Sequence, residues 1–349
     1  MSIMGVVRAC APPAASSAAL SSSRDAAQRK PSRSARVLVA ALKPPPLLSA
    51  LLASLLEKGE SFAAKLGEQS EFVQVDVSNA SLLEKALQGV DLVVHTAGPF
   101  QTVEECTVLQ AAISTKTAYI DVCDDTDYSW RAKGFHDQAK AAGVPAITTA
   151  GIYPGVSNVM AAELVEAARS ENSEPERLRF FYYTAGTGGA GPTILTTSFL
   201  LLGEDVTAYN KGEEIKLKPY SGALNIDFGK GVRKKNVYLL NLPEVKTAFK
   251  ILGVPTEFLR DKNKVKKLVE SVDPLVRAID GIAGERVSMR VDLECSNGRD
   301  TIGLFTHKKL SVSVGFATAA FALAVLEGNT QPGVWFPEEV TTAILEQKK

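Results

Sequence analysis

From Glu71 onward the apolar and polar positions fall into two alternating patterns. EFVQVDV (71–77) has the period of a strand. Leu82, Leu83, Ala86 and Leu87 then recur at helical spacing, with Ser78 as the expected N-cap. Strand DLVVHTA, a helix over Val103–Ile113, strand AYIDVC, a helix over Tyr128–Ala142 closed by Gly143, and strand PAITTA follow in order. Helices between short β-rich runs predict right-handed βαβ units, and therefore a parallel sheet.

The texture changes after Tyr153-Pro154-Gly155. A helix over Asn158–Ala168, the charged link SENSEPER, strand LRFFYYT, a Gly-rich loop and a helix over Ile194–Leu202 come next. Residues 204–270 mix short strands with basic helices. VSMRVDLEC and TIGLFTH flank Asn297-Gly298, a dipeptide suited to a tight hairpin, so antiparallel strands are expected here. Leu310–Leu326 is apolar but interrupted by Ser311, Ser313 and Thr318. It reads as a strand running into a buried helix rather than a membrane span. The fold class expected is α/β: a parallel sheet joined to a second α/β domain containing antiparallel strands.

The beginning of the chain fits this pattern least well. Val37, Leu38 and Val39 open like the first strand of a nucleotide-binding domain, yet Pro44–Pro46 stand where a glycine-rich turn should come. Prolines lack the N–H donors with which such a turn wraps a pyrophosphate. The leucines at 47, 48, 51, 52, 55 and 56 form two adjacent apolar rows, predicting a helix over Leu47–Gly59 that the prolines can only precede.

At 349 residues, 45% of them hydrophobic and 22% charged, the chain has room for two domains with unstapled cores. Its net charge of zero gives no global pull toward nucleic acid or anionic membrane. The charge is uneven, however. Residues 1–45 carry seven Lys/Arg against one acid, Asp25, and are rich in Ser and Ala. Residues 1–34 are therefore expected to be a disordered, removable organelle transit peptide, of the plastid kind in a plant; the alternative is an ordinary disordered tail. Cys10, Cys106, Cys123 and Cys295 show no paired spacing, and His95, His136 and His307 lie far apart, so neither a metal site nor a disulfide framework is expected.

Four stretches carry candidate chemistry. In DLVVHTAGPF a strand ends at a Gly98-Pro99 turn, where a flat ligand could approach the backbone; the same dipeptide also serves as a plain turn. AYIDVCDD puts Asp121, Asp124 and Asp125 at and beyond a strand end. Asp124 and Asp125 suit helix capping, whereas Asp121 lies inside the apolar pattern and so needs a partner. AITTAGIYPGVSN brings Tyr153 and Asn158 to a junction between domains, where clefts form; Tyr153 reads equally as a packed hinge residue. AGTGGAG satisfies the dinucleotide pattern at Gly186, Gly188 and Gly191, but the second strand and acid such a site needs are missing. An anion-binding helix N-terminus fits it better.

At DLVVHTAGPF, YIDVCDD, AKAAGVPAITTAGIYPGVSNVMAAEL and EGNTQPGVWFPEE the chain resembles the saccharopine dehydrogenase-like family, most of all its plastid-targeted plant members. The resemblance begins close to Glu57 and continues to Lys349. It implies a Rossmann-like NADP-binding domain over 35–155, truncated here at its first βαβ unit, and a substrate and dimerisation-type α/β domain over 156–314. A closing helix and loop over 315–349 would return to the first domain. Ala97, Gly98, Pro99 and Phe100 would lie along the cofactor near its nicotinamide. The implied chemistry is hydride transfer at a carbon–nitrogen bond of a small amino-acid-like substrate. Asp121 would orient the substrate amine or relay its proton, Tyr153 and Asn158 would hydrogen-bond the substrate, and the loop of Gly186, Gly188, Gly189 and Gly191 would face its carboxylate. A homodimer is the assembly to be tested.

This sequence departs from the family at its start, with no glycine between Gly5 and Gly59 and no β-rich second strand. NADP binding is therefore expected to be weak or lost. Three readings stay open: an impaired oxidoreductase, a non-catalytic protein binding a metabolite or partner, and a chain that folds poorly because its sheet lacks a strand.

Overall fold

A computed structural model describes residues 4–7, 37–40, 59–67, 70–98, 100, 101, 103–185, 204–210, 213–254 and 286–341. Of the expected helix at 47–59 only Gly59 is described, as the first residue of a helix, while the expected helix at 194–202, Pro44–Pro46 and the Gly186–Gly191 loop lie outside these residues. The chain divides into two compact units. One comprises Met1–Ala97 with Thr107–Tyr119, the other Gly98–Cys106 with Ile120–Lys349. The fold is α/β, with Rossmann-like parallel strands between helices and antiparallel sheets in the second unit.

In the first unit, β2 (Val37–Ala40) and β4 (Leu92–His95) pair in parallel with Leu38 opposite Val93. Every residue of β4 is buried, Leu92–Val94 as an apolar run and His95 with its Nδ1 3.2 Å from the Tyr119 hydroxyl. Beyond β2 lie β1 (Met4–Val7) and then β3 (Ser70–Val73), in the order β4-β2-β1-β3. β1 runs antiparallel to both neighbours. Four residues of the segment expected to be disordered thus form a strand, and β3 ends four residues short of the expected Val77.

Residues 59–66 form α1, and α2 (Ala80–Leu87) packs on α3 (Thr107–Thr115). The N-cap of α2 is Asn79 rather than Ser78. The Ser78 hydroxyl is spent on Asp76 Oδ1 at 2.7 Å, and Asn79 Oδ1 accepts from Leu82 N at 3.1 Å.

The boundary between the units cuts β5 (Ala118–Asp121) after Tyr119. In the second unit β6 (Pro145–Ile147) pairs in parallel with β14 (Gly333–Trp335), so the closing segment lies beside a strand nearly two hundred positions earlier. Lys133 Nζ ties that segment down through Val334 O at 2.8 Å and Glu339 Oε2 at 2.7 Å. The helix expected over 128–142 is two helices, α4 (Thr126–Lys133) and α5 (His136–Ala142), interrupted at Gly134-Phe135. Gly143 ends α5 in the left-handed conformation, φ +72°, as its position predicts.

Helix α6 (Val156–Ser170) lies against the antiparallel sheet β13-β12-β7, formed by Asp300–His307, Val287–Cys295 and Pro175–Thr184. Ala161, Val165, Leu178, Val291 and Leu293 make that core. The Asn297-Gly298 hairpin forms as expected, with Gly298 at φ +79°.

Two further hairpins pair β8 (Val206–Asn210) with β9 (Glu213–Leu217) and β10 (Leu224–Asp227) with β11 (Lys234–Val237). α7 (Pro243–Thr247) runs on into a π-turn over Ala248–Leu252. Leu310–Leu326 is helical throughout, as α8, and not strand then helix. Its interrupting polar residues Ser313 and Thr318 are buried, and Thr318 Oγ1 donates to Ala150 O at 3.1 Å. Among the described residues no helix is long and apolar enough to cross a membrane.

Candidate active site

The second unit gathers its polar side chains where β5 ends and α6 begins. Asp121, the last residue of β5, is fully buried. One of its oxygens, Oδ1, accepts from Cys123 N at 3.0 Å, Thr149 N at 2.8 Å and Thr148 Oγ1 at 3.1 Å. Those bonds fix the turn after β6 to the end of β5. The Cys123 thiol is pushed far up by burial and then by the Asp121 charge, so neither Cys123 nor the similarly raised Cys106 is a nucleophile in waiting.

The other two aspartates divide the remaining roles. Asp125 caps α4, accepting from Tyr128 N at 2.6 Å. Asp124 makes no cap. It is half-buried, accepts from Gln101 Nε2 at 3.1 Å, and titrates at about 6 because burial outweighs that hydrogen bond. A carboxyl with that value changes charge near neutral pH.

The turn Gly151–Gly155 shapes the start of α6. Gly155 sits at φ +133°, and a Cβ there would lie 2.0 Å from Gly151 O, so no side chain can replace its hydrogen. The turn places Tyr153 flat on Tyr182 of β7, with ring centroids 4.6 Å apart, and its hydroxyl 2.5 Å from Thr184 Oγ1. Burial pushes the Tyr153 hydroxyl up to about 12, which keeps it protonated and able to donate.

The first turn of α6 meets two glutamates that sequence reasoning missed. Ser157 Oγ and Tyr182 OH both donate to Glu244 Oε1, at 2.9 and 2.7 Å. Asn158 accepts from Gly155 N at 2.9 Å and donates to Thr247 Oγ1 at 3.1 Å and Glu338 Oε1 at 3.0 Å. Glu244 and Glu338 are fully buried. Burial raises both, Glu338 to about 7. Glu244 at a helix start and Glu338 in the closing PGVWFPEE carry no local signal of burial, and only the tertiary fold brings them to α6.

A polar cleft of about 570 Å³ opens in the same unit, lined among others by Gln101, Asp125, Asp127, Glu204, Arg131 and Lys246. Six carboxylates and three cationic side chains line it in all, giving it a negative balance. Burial is the main cause of the upward shift of Glu204, with Asp125 and Asp127 adding to it. Gln101 joins this cleft to Asp124.

The residues expected along a nicotinamide fit less completely. Ala97 is buried in the first unit, Pro99 lies outside the described residues, and Phe100 is spent against Tyr128, ring centroids 5.1 Å apart. Gly98 is half-buried, and a Cβ on it would meet Phe100, the ring at 3.6 Å and the backbone N at 3.9 Å. The described residues thus offer a small-residue approach at Gly98 but no set of phosphate donors. Among the described residues no cluster of His, Cys, Asp and Glu could hold a metal ion.

Residues 51–147 match the saccharopine dehydrogenase NADP-binding domain. Carboxynorspermidine synthase of Vibrio cholerae is 26% identical over 205 residues, covering 54% of this chain. The chain thus spans about half of that relative, 48% of its length. Apo saccharopine dehydrogenase (L-Glu forming) of Saccharomyces cerevisiae superposes with a TM-score of 0.53 at 13% identity, covering 84% of this chain and 90% of that one, a likeness of fold. The chain thus carries, across β3 to β6, a match to the NADP-binding domain of saccharopine dehydrogenases.

Proposed function

We propose that this chain is an NAD(P)-dependent oxidoreductase of the saccharopine dehydrogenase type, transferring hydride at a carbon–nitrogen bond of an amino-acid-like substrate, with its cofactor affinity reduced. The observation that carries the reading is the negative cleft joined through Gln101 to Asp124, in a chain bearing a nicotinamide-binding domain. An excess of carboxylates favours an ammonium-bearing ligand. Asp124, titrating at about 6, takes or returns the amine proton, and Tyr153, protonated at any physiological pH, donates a hydrogen bond. Asn158 has both amide protons engaged by Thr247 and Glu338, so it shapes the site from behind and does not bind substrate. The loss of affinity follows from Pro44–Pro46, which follow β2 where phosphate donors are needed.

The test is NADPH oxidation at millimolar cofactor against pairs of amino acids with oxo acids or aldehydes. An active pair whose rate falls about 100-fold or more in Asp124→Asn supports the reading, that being the usual scale of a lost general acid–base. Full activity in Asp124→Asn removes the role given to that residue. A non-catalytic metabolite binder is the second reading, favoured by the same prolines, and binding of an amino acid without turnover would select it.

A further inference from the structure

In doubly wound dinucleotide-binding sheets the strand order 3-2-1-4 puts the second strand between the first and the third. The first unit keeps that layout with one substitution. β2 stands first, β4 fourth and β3 third, while the place between β2 and β3 is held by Met4–Val7. This strand precedes β2 in the chain and runs antiparallel to both neighbours. Gly5 faces Val39 on one side and Phe72 on the other; Val6 faces Leu38 and Glu71.

We propose that the gap between β2 and β3 is a strand-acceptor site and that the chain's own Met4–Val7 is its occupant. Three observations carry this. The sequence between β2 and β3 contains no β-rich run, so nothing there supplies the missing strand. SIMGVV is apolar and β-branched, unlike the Ser-, Ala- and Arg-rich stretch that follows it. An antiparallel insertion needs no crossover helix, so a terminal segment can make it where a parallel strand would require one.

Without an occupant, β2 and β3 would each present an unpaired row of N–H and C=O groups, the arrangement that captures extended peptides. The sheet is therefore completed by Met4–Val7 at the point where the sequence departs from the family it resembles. Removal of a leader and filling of the gap then exclude each other in one molecule. Processing near Ala35 would empty the acceptor and leave it open to another extended segment.

The experiment uses the full chain with Val6→Cys, Glu71→Cys and Cys10→Ser. Directly opposed strand residues have Cα atoms about 4.5–5.5 Å apart, within disulfide reach. Mild oxidation should give an intrachain link between the peptides carrying residues 6 and 71, which disappears when oxidation is done in denaturant. A second variant lacks residues 2–8. Its amides at Val37–Ala40 and Ser70–Val73 should exchange at least about ten-fold faster, and excess synthetic SIMGVVRA should restore protection. No link, a link only between two chains, or unchanged exchange in the deletion would overturn the proposal. None of these readouts needs a cofactor or substrate, so they stand or fall apart from the enzymatic reading.

Discussion

Asn158 and Glu338, 180 positions apart, meet at 3.0 Å through one hydrogen bond from Nδ2 to Oε1. The same amide group reaches Thr247 and, through Oδ1, the N–H of Gly155. One side chain thus joins the turn after β6, the short helix α7 and the closing segment. The contact explains why Asn158, which the sequence offers as a ligand-binding residue, has no donor left for a ligand.

The buried partner sets a pH dependence. Glu338 titrates at about 7 in the folded chain against 4.5 as its ordinary value, because burial outweighs its bonds to Thr247 and Asn158 and Glu339 adds repulsion. A raised carboxyl pKa means the folded state holds a proton the unfolded chain has released. Its contribution to stability is full below about 4.5 and falls as pH rises to about 7. Glu338→Gln keeps the carbonyl acceptor and abolishes the ionisation. It should therefore be close to neutral at pH 4.5 and gain about 2–3 kcal/mol relative to the parent at pH 8. Urea midpoints at the two values check this. An equal effect at both would show that Glu338 does not titrate in this range.

Asp124 gives a second titration. The Gln101 hydrogen bond favours its charged form, acting against burial and the charges of Asp125 and Glu244. Gln101→Leu removes that partner, so the Asp124 carboxyl should titrate above its present value of about 6. Carbon-13 NMR of the side-chain carboxyls reads it directly. A downward shift would mean that Gln101 does not favour the ionised form.

Gly155 is the most constrained glycine in the site, by conformation and by space. Gly155→Ala places a methyl into Gly151 O at a φ of +133°, which an L-residue rarely adopts. The expected cost is about 3 kcal/mol or more, measured as a shift in the denaturation midpoint. Gly98→Ala, where the added methyl meets Phe100 at ordinary contact distances, should cost less than about 1 kcal/mol. A reversed order of the two variants would contradict the local geometry.

Most of the architecture was legible because it is written in short-range patterns. The apolar run of β4, the αL glycine after α5 and the Asn297-Gly298 hairpin need no distant partner to be read. Misreadings arose where a distant contact decided. The helix expected over 128–142 breaks at Gly134, and Ser313 and Thr318, read as interruptions, are core residues of α8. In the site, Asp121 and Tyr153 were visible as polar residues beside strand ends. Glu244 and Glu338 were not, because each reaches α6 from a segment with no local signal of burial. Met4–Val7 was hidden by composition: four strand residues precede a long Ser- and Ala-rich stretch that dominates any window.

The central proposal is a nicotinamide-binding fold with a weakened grip on the cofactor phosphates, and titration of purified protein with NADPH, followed by its fluorescence, tests it most directly. Hydrogen bonds to charged groups contribute about 1.5–3 kcal/mol each, so the lack of two donors in the sequence after β2 would weaken binding by about 3–6 kcal/mol. That is roughly two to four powers of ten in affinity. The account predicts saturable binding with a dissociation constant no better than millimolar. A micromolar constant would contradict it, because the phosphates would then be held despite Pro44–Pro46.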